Sequence, residues 1–290
     1  MNSERRALNQ YDELLKERPA GRIYHYTSQK GLIGILTRKS LWATSILHLN
    51  DAAEFAYAIS LVKSAVKRRL DFSKNANELA ILRAIRVLIS TLNRNDRFIV
   101  CAACFSENSD QLRQWRGYCS PGSGFSIGFE YAQLEPPMMK SEVFLARCVY
   151  DIHRQIQLID ELLDGILATA GTSHSEGPDL EKELITFLRK IVYVGSLLKH
   201  PSFHEEREWR IVAAIAGNFE AELNVREGQS ILIPYYTLQL VEKDQPLKLT
   251  EIVVGPNPEM DLAVRSVKLL LAALRVEAAV RPSEVPYREW

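Results

Sequence analysis

Long apolar runs are missing from this chain. Nothing in its 290 residues approaches the ~18 uninterrupted apolar positions that a membrane helix needs, so no membrane partner is expected. Charge of one sign is missing too: Lys+Arg is 36 and Asp+Glu is 36, a formal net charge of 0. That argues against a strongly basic nucleic-acid binder and against an acidic tail protein, and leaves a local basic patch open. Cysteine is scarce, at positions 101, 104, 119 and 148, and no apolar stretch follows Met1 to Arg6 as a secretory signal would. The four are expected to be reduced thiols in a cytoplasmic protein. There is no Walker loop and no GxGxxG, and Gly122-Ser123-Gly124 reads as a turn. No GxSxG surrounds a serine. Cys101 and Cys104 form a lone CxxC inside an apolar run, and no His pair stands at zinc spacing. Strand positions three apart face opposite sides, so no metal is expected and both read as small buried apolar residues.

What is present is ordinary for a globular protein: 47% hydrophobic and 25% charged residues, enough for a normal core. Residues 3–18 carry Leu8, Tyr11, Leu14 and Leu15 at helical spacing, an N-terminal helical extension over residues 1–20. Residues 21–290 show no linker and no repeat, and read as a single α+β domain. Strands are expected at Ile23–Thr27, Leu41–Thr44, Phe98–Ser106, Phe125–Phe129, Val143–Tyr150, Glu206–Ile215, Gln229–Tyr235, Leu249–Val254 and near Val276–Val280, roughly seven or eight in use. Phe98–Ser106 is nearly all apolar, as a strand buried on both faces should be. Pro234 pushes its strand toward a sheet edge. Helices are expected from Ser28, from Asn50 through Leu70, over about 77–92, over 154–199 with a break near Gly171 to Pro178, and over 260–275.

Four constellations could carry chemistry. In Tyr24-His25-Tyr26-Thr27, alternation puts His25 and Thr27 on one face, where an imidazole and a hydroxyl suit a ribose or an amide. The plain alternative is a half-buried structural His and a Thr near a helix cap. Asn50-Asp51-x-x-Glu54 fits a capping box, which accounts for Asp51 and Glu54 but leaves Asn50 for a site edge. Ser106 ends the apolar strand, and Trp115 and Tyr118, three apart on one helical face, can wall a pocket for a flat ring or simply pack the core. In Glu206-Arg207-Glu208-Trp209-Arg210, a strand would set Glu206, Glu208 and Arg210 on one face, the carboxylates about 7 Å apart. Such a pair can work on a sugar, or can be a surface ladder in which Arg210 pairs Glu208. Lys67-Arg68-Arg69 and Arg94 to Arg97 are local basic spots, solvated faces or phosphate docks.

Taken in order, these pieces resemble a bacterial domain-of-unknown-function family, number 2971. The likeness rests on Tyr24-His25-Tyr26-Thr27, Leu41-Trp42, Asn50 to Glu54, Cys104-Phe105-Ser106, Trp115 to Tyr118, Gly124 to Phe129 and Glu206 to Arg210, and spans roughly residues 22–257. The motif layout is similar to the ADP-ribosyltransferase fold, which implies a split mixed or antiparallel sheet flanked by helices. It implies an ADP-ribosyltransferase or NAD glycohydrolase, with NAD as substrate and no metal. Glu208, His25 and Ser106 would then be catalytic. His25, Tyr26, Thr27, Asn50, Arg113, Trp115, Tyr118, Glu206 and Arg210 would bind NAD. An acceptor protein or nucleic acid, and an antitoxin or defence partner, are the implied partners. The competing expectations are a nucleotide-binding sensor without turnover and a nucleic-acid-modifying enzyme.

Overall fold

The computed structural model describes residues 9–49, 52–92, 98–119, 124–138, 143–172, 178–216, 222–228, 230–242 and 245–286. In chain order the elements are α1 (Asn9–Lys16), β1 (Ile23–Ser28), α2 (Gln29–Arg38), β2 (Ser40–Ser45), α3 (Ala52–Phe72), α4 (Ala76–Ser90), β3 (Phe98–Ser106), α5 (Leu112–Tyr118), β4 (Gly124–Phe129) and α6 (Tyr131–Met138). There follow β5 (Val143–Arg147), α7 (Ile152–Thr172), α8 (Pro178–Gly195), β6 (Glu208–Ala216), β7 (Leu223–Arg226), β8 (Ile233–Gln239), β9 (Lys248–Val254), α9 (Met260–Leu274) and β10 (Glu277–Pro282). A 3-10 turn, Pro201–Glu206, leads into β6. Local chemistry marks several starts. Ser28 accepts the amide of Gly31 at the head of α2, and Asn75 accepts those of Asn77 and Glu78 at the head of α4.

The ten strands form one open sheet, antiparallel throughout except for the parallel pair β9–β10. β3 is its centre, and β6 follows one edge along its whole length, from Phe98↔Ala216 to Ser106↔Glu208. The other edge is shared. β2 takes its beginning, at Thr44↔Ala102 and Ser45↔Cys101, and β1 takes its end, at Tyr24↔Ser106. The sheet therefore forks at β3 into a β1-β4-β9-β10 wing and a β2-β8-β7 wing. His25 sits at the fork. Its Nδ1 donates to the carbonyl of Cys104 at 2.9 Å, and its ring packs on Phe105 at 5.6 Å between centroids.

Alternation along β3 and β6 divides the core in two. Cys101, Ala103, Phe105, Trp209 and Ile211 face α2 and α9, whereas Val100, Ala102 and Val212 face α3, α4, α7 and α8. A smaller cluster, Tyr24, Tyr26, Trp115 and Val253, packs α5 on the far part of that second face. Leu14 of α1 is fully buried in the helical core, so the N-terminal helix is integral to it.

Several sequence expectations need correcting. Ten strands stand where seven or eight were expected: each of the nine segments marked as a strand forms one, and the tenth, β7, is only four residues long. β7 covers β8, so Pro234 is not at an edge. It lies past Tyr235, the last β8 residue paired with β2, where its missing N–H removes no bond on that side. β4 is buried at all six positions, and β5 stops at Arg147 rather than reaching Tyr150. α6 was not expected, since Pro136 and Pro137 mask its periodicity. Glu206 lies in the 3-10 turn, outside β6. No helix among the described residues is long and apolar enough to cross a membrane.

Candidate functional site

Five charged side chains that should be in water by type are instead buried together beneath the helical face of the sheet. Glu54 comes from the first turn of α3, and Lys199 from the segment that follows α8. Glu206 closes the 3-10 turn, and Glu208 and Arg210 open β6. Arg207, between the two glutamates, takes a left-handed φ of 44° where the 3-10 turn ends and β6 begins, and both carboxylates reach one point.

That point is the Lys199 ammonium. Its Nζ lies 2.9 Å from Glu54, 2.6 Å from Glu206, and in hydrogen-bond contact with Glu208. Arg210 closes the network from behind. It donates through Nε to Glu208 at 2.7 Å, through one terminal nitrogen to Glu54 at 2.5 Å, and through the other to the carbonyl of Ser196 at 2.6 Å. Lys199 and Glu208 are each 2% exposed. An ionic group buried so deeply persists only when paired and hydrogen-bonded, and here every member is. Gln155, itself fully buried, fixes the lysine segment by donating to the carbonyls of Val149 and Lys199 while accepting from Tyr57.

The two β6-side glutamates are driven apart in proton affinity. Burial disfavours the charge on Glu208, but Arg210 and Lys199 overcome it and bring the carboxyl down to about 2. For Glu206 burial wins over Lys199 and raises the carboxyl. Burial opposes the charge on Lys199 as well, and its carboxylate neighbours, Glu208 first, override that and raise it. Around this core stand Cys104, Cys148 and Tyr150. Burial raises all three, with Glu208 adding to each. The Tyr150 hydroxyl accepts the amide of Glu208 at 2.9 Å.

The outer rim comes from α5 and the 3-10 turn. Arg113 lies 3.5 Å from Glu206 and 4.9 Å over the ring of Phe203, and its side chain is 43% exposed. Tyr118 is 37% exposed, yet burial and then Glu208 hold its phenol well above the ordinary value. Arg113 and Tyr118 are thus the exposed groups beside the cluster, and Arg113 leads to the buried Glu206.

The sequence candidates divide sharply. Glu206, Glu208 and Arg210 converge as expected, but as buried network members and not as an exposed ladder. Arg210 is engaged through all three nitrogens by Glu208, Glu54 and Ser196 and is 3% exposed, too deep to meet a pyrophosphate. His25 does not join them. Its register partner is Phe105, and Phe105 is opposite Trp209, so His25 and Thr27 lie on the other face of the sheet from Glu208. Burial lowers the His25 pKa, and its bond to Cys104 ties it to the fork. Ser106 is on the Glu208 face but 1% exposed, donating to the carbonyl of Glu206 and accepting the amide of Asn108; it shapes the turn. The Tyr26 hydroxyl is likewise used, donating to the Asn108 carbonyl and accepting the Gln111 amide. Trp115 is core, 3% exposed, wedged against Tyr26 with its indole N–H on Asp110. Asn50 and Asp51 lie outside the described residues. Glu54, expected as half of a capping box, spends its carboxylate on Lys199 and Arg210 instead. Cys104, expected as a small apolar residue, stands close enough to Glu208 for that carboxylate to add to burial in raising its thiol.

Sequence reasoning missed Lys199, the hub. The only signal was a lone cation directly after the apolar end of a helix, Val192 to Leu198, at a place too apolar for a free ammonium. Among the described residues no group of His, Cys, Asp and Glu is arranged to hold a metal ion.

The class these features define is an α+β protein whose forked open sheet carries a buried five-membered ionic cluster at one end of its central strands. Over residues 114–211 the chain matches the model of a protein family of unknown function, DUF2971. That segment runs from α5 to the middle of β6 and contains Lys199, Glu206, Glu208 and Arg210 but not Glu54 or His25. Searches of curated proteins and of solved structures found no match.

Proposed function

We propose that the cluster and its rim form the reacting end of a nucleotide-processing site that breaks an N-glycosidic bond, with NAD or a related nucleotide as substrate, in the manner of an NAD glycohydrolase or ADP-ribosyltransferase. One observation carries the reading: two carboxylates share one lysine while their proton affinities are pushed in opposite directions. Acid–base assignments in hydrolytic sites follow from such a divergence. Glu206, at the rim, retains the higher proton affinity and suits proton transfer from the incoming water or acceptor hydroxyl. Glu208 stays ionised and supplies a fixed negative charge toward a developing ribosyl cation. Water adds to the ribose carbon as the bond to nicotinamide breaks, and the departing ring keeps the bonding pair. The water's second proton passes to Glu206 and on to solvent. Arg113, 3.5 Å from Glu206 with its side chain 43% exposed, is a rim guanidinium with surface to meet phosphate. His25 has no part in this reading.

The test is incubation of the protein with NAD and quantitation of free nicotinamide. Release by the native chain that falls at least ~100-fold in Glu206→Gln supports the reading. No release from the native chain overturns it.

A second reading, a nucleotide-binding module without turnover, draws on the deep burial of Glu208 and the pairing of both its oxygens. It expects NAD to raise the melting temperature with no nicotinamide formed.

A further inference from the structure

The chain has no net charge, but its cations are not evenly spread. Residues 60–90, which hold the outer part of α3, the connection and α4, contain Lys63, Lys67, Arg68, Arg69, Lys74, Arg83 and Arg86 against Asp71 and Glu78, a net of 7 − 2 = +5. The structure sorts these cations into two sets. Arg68 and Arg69 turn toward α7 and pair with Asp160 and Asp164, so they bind helix to helix and are not offered to a partner. Lys63, Lys67, Arg83 and Arg86 are exposed, and among the described residues no acidic side chain pairs with them.

Their placement is ordered. α3 and α4 are packed as an antiparallel hairpin, with their buried positions, such as Val62, Val66, Leu82 and Ile85, turned inward to α7 and α8. Counting 1.5 Å per residue from the connection, Lys67 and Arg83 stand ~8 and ~10 Å along their helices, and Lys63 and Arg86 both ~14–15 Å. Two cations of α3 are thus nearly level, along the hairpin, with two of α4. At the hairpin tip Lys74 is exposed beside Phe72, which is 80% exposed.

We propose that the outer face of the α3–α4 hairpin is a docking surface for the sugar–phosphate backbone of a nucleic-acid duplex. Charge complementarity commits the face to a polyanion: four exposed ammonium and guanidinium groups, with no acidic partner among the described residues, suit phosphates. The tiers carry cations without the broad apolar stripe that an interfacial membrane helix needs, which favours nucleic acid over a lipid surface. The inference stands apart from the glycosidic reading, since none of these residues touches the buried cluster.

The experiment is fluorescence anisotropy of a labelled mixed-sequence DNA duplex titrated with the full chain over a salt series. Four phosphate contacts predict a log–log salt slope of about −3.6. The variant Lys63→Ala/Lys67→Ala/Arg83→Ala/Arg86→Ala, all at exposed helical positions, is expected to keep its circular-dichroism spectrum and melting temperature while losing most of the binding and most of the slope. Absence of binding by the native chain at low salt overturns the proposal, as does a fourfold variant that binds as well as the native chain. Phosphatidylserine vesicles are the control: capture by vesicles with no duplex binding assigns the face to membranes and equally overturns it. The nicotinamide assay is run in parallel, so that a failure there leaves the docking result to be judged on its own.

Discussion

Replacing Lys199 by methionine removes the shared cation of the buried cluster and keeps most of its volume. In the native protein its ammonium contacts Glu54, Glu206 and Glu208 at a position 2% exposed. Without it, three carboxylates are left with Arg210 inside and Arg113 at the rim. Breaking a buried ion pair by deleting one partner costs about 3–5 kcal/mol, because the remaining charge stays buried and uncompensated. For a chain of this size that is a fall in melting temperature of ~5–8 °C. Acid titration separates this cause from lost packing. The Glu208 carboxyl is lowered in the folded protein from its usual 4.5 to about 2. Its stabilisation is therefore complete above the unfolded value and is lost as pH falls from about 4.5 toward about 2, amounting to ~3 kcal/mol at most. Glu206, raised by burial, acts with the opposite sign and favours the fold when protonated. Lys199→Met raises both carboxyls, so its deficit is largest at neutral pH and shrinks on acidification. Urea midpoints of the two proteins from pH 3 to pH 7 check this. A deficit below ~1 kcal/mol at pH 7, or one that does not change with pH, refutes the reasoning.

His25→Leu deletes the donor to the Cys104 carbonyl at the fork and is expected to cost ~1–3 kcal/mol by urea denaturation, with nicotinamide release per folded molecule unchanged. Gly255→Ala would set a Cβ 3.0 Å from the Gly124 carbonyl oxygen and 3.0 Å from the Trp115 ring, both fixed in place; a loss of ~1–3 kcal/mol is expected in thermal melts. Burial raises all four cysteine thiols, Cys101 and Cys119 to about 12, so Ellman's reagent at pH 8 is expected to titrate none in the folded protein and all four in guanidinium chloride.

Much of the scaffold was legible in the chain because it depends on local periodicity. The apolar run of β3, the Ser28 cap of α2 and the 3.6-residue pattern of α4 and α9 all fall within a residue or two of expectation. The elements that escaped were those where local pattern is short or broken: β7 with four residues, α6 with two prolines, and the 3-10 turn that takes Glu206 off its strand. The site was half legible. Glu206, Glu208 and Arg210 were visible as an unusual charge group at the mouth of an apolar strand. Glu54 was visible too, but a capping box explained it equally well, since spacing cannot tell a carboxylate that caps its own helix from one that reaches a distant lysine.

Strand parity along β1, β3 and β6 is written in the residues themselves, because side chains alternate about a pleated backbone. It already set His25 with Thr27 and Glu208 with Arg210. Which of those faces would coincide depends on register between strands about 80 and 100 residues apart, which no local pattern encodes; Tyr24↔Ser106 and Ser106↔Glu208 put the imidazole on one side and the acid on the other. Lys199 belongs wholly to the assembled molecule. Its ammonium is tolerable in the interior only because two distant chain segments deliver three carboxylates to it, and that convergence exists only after folding.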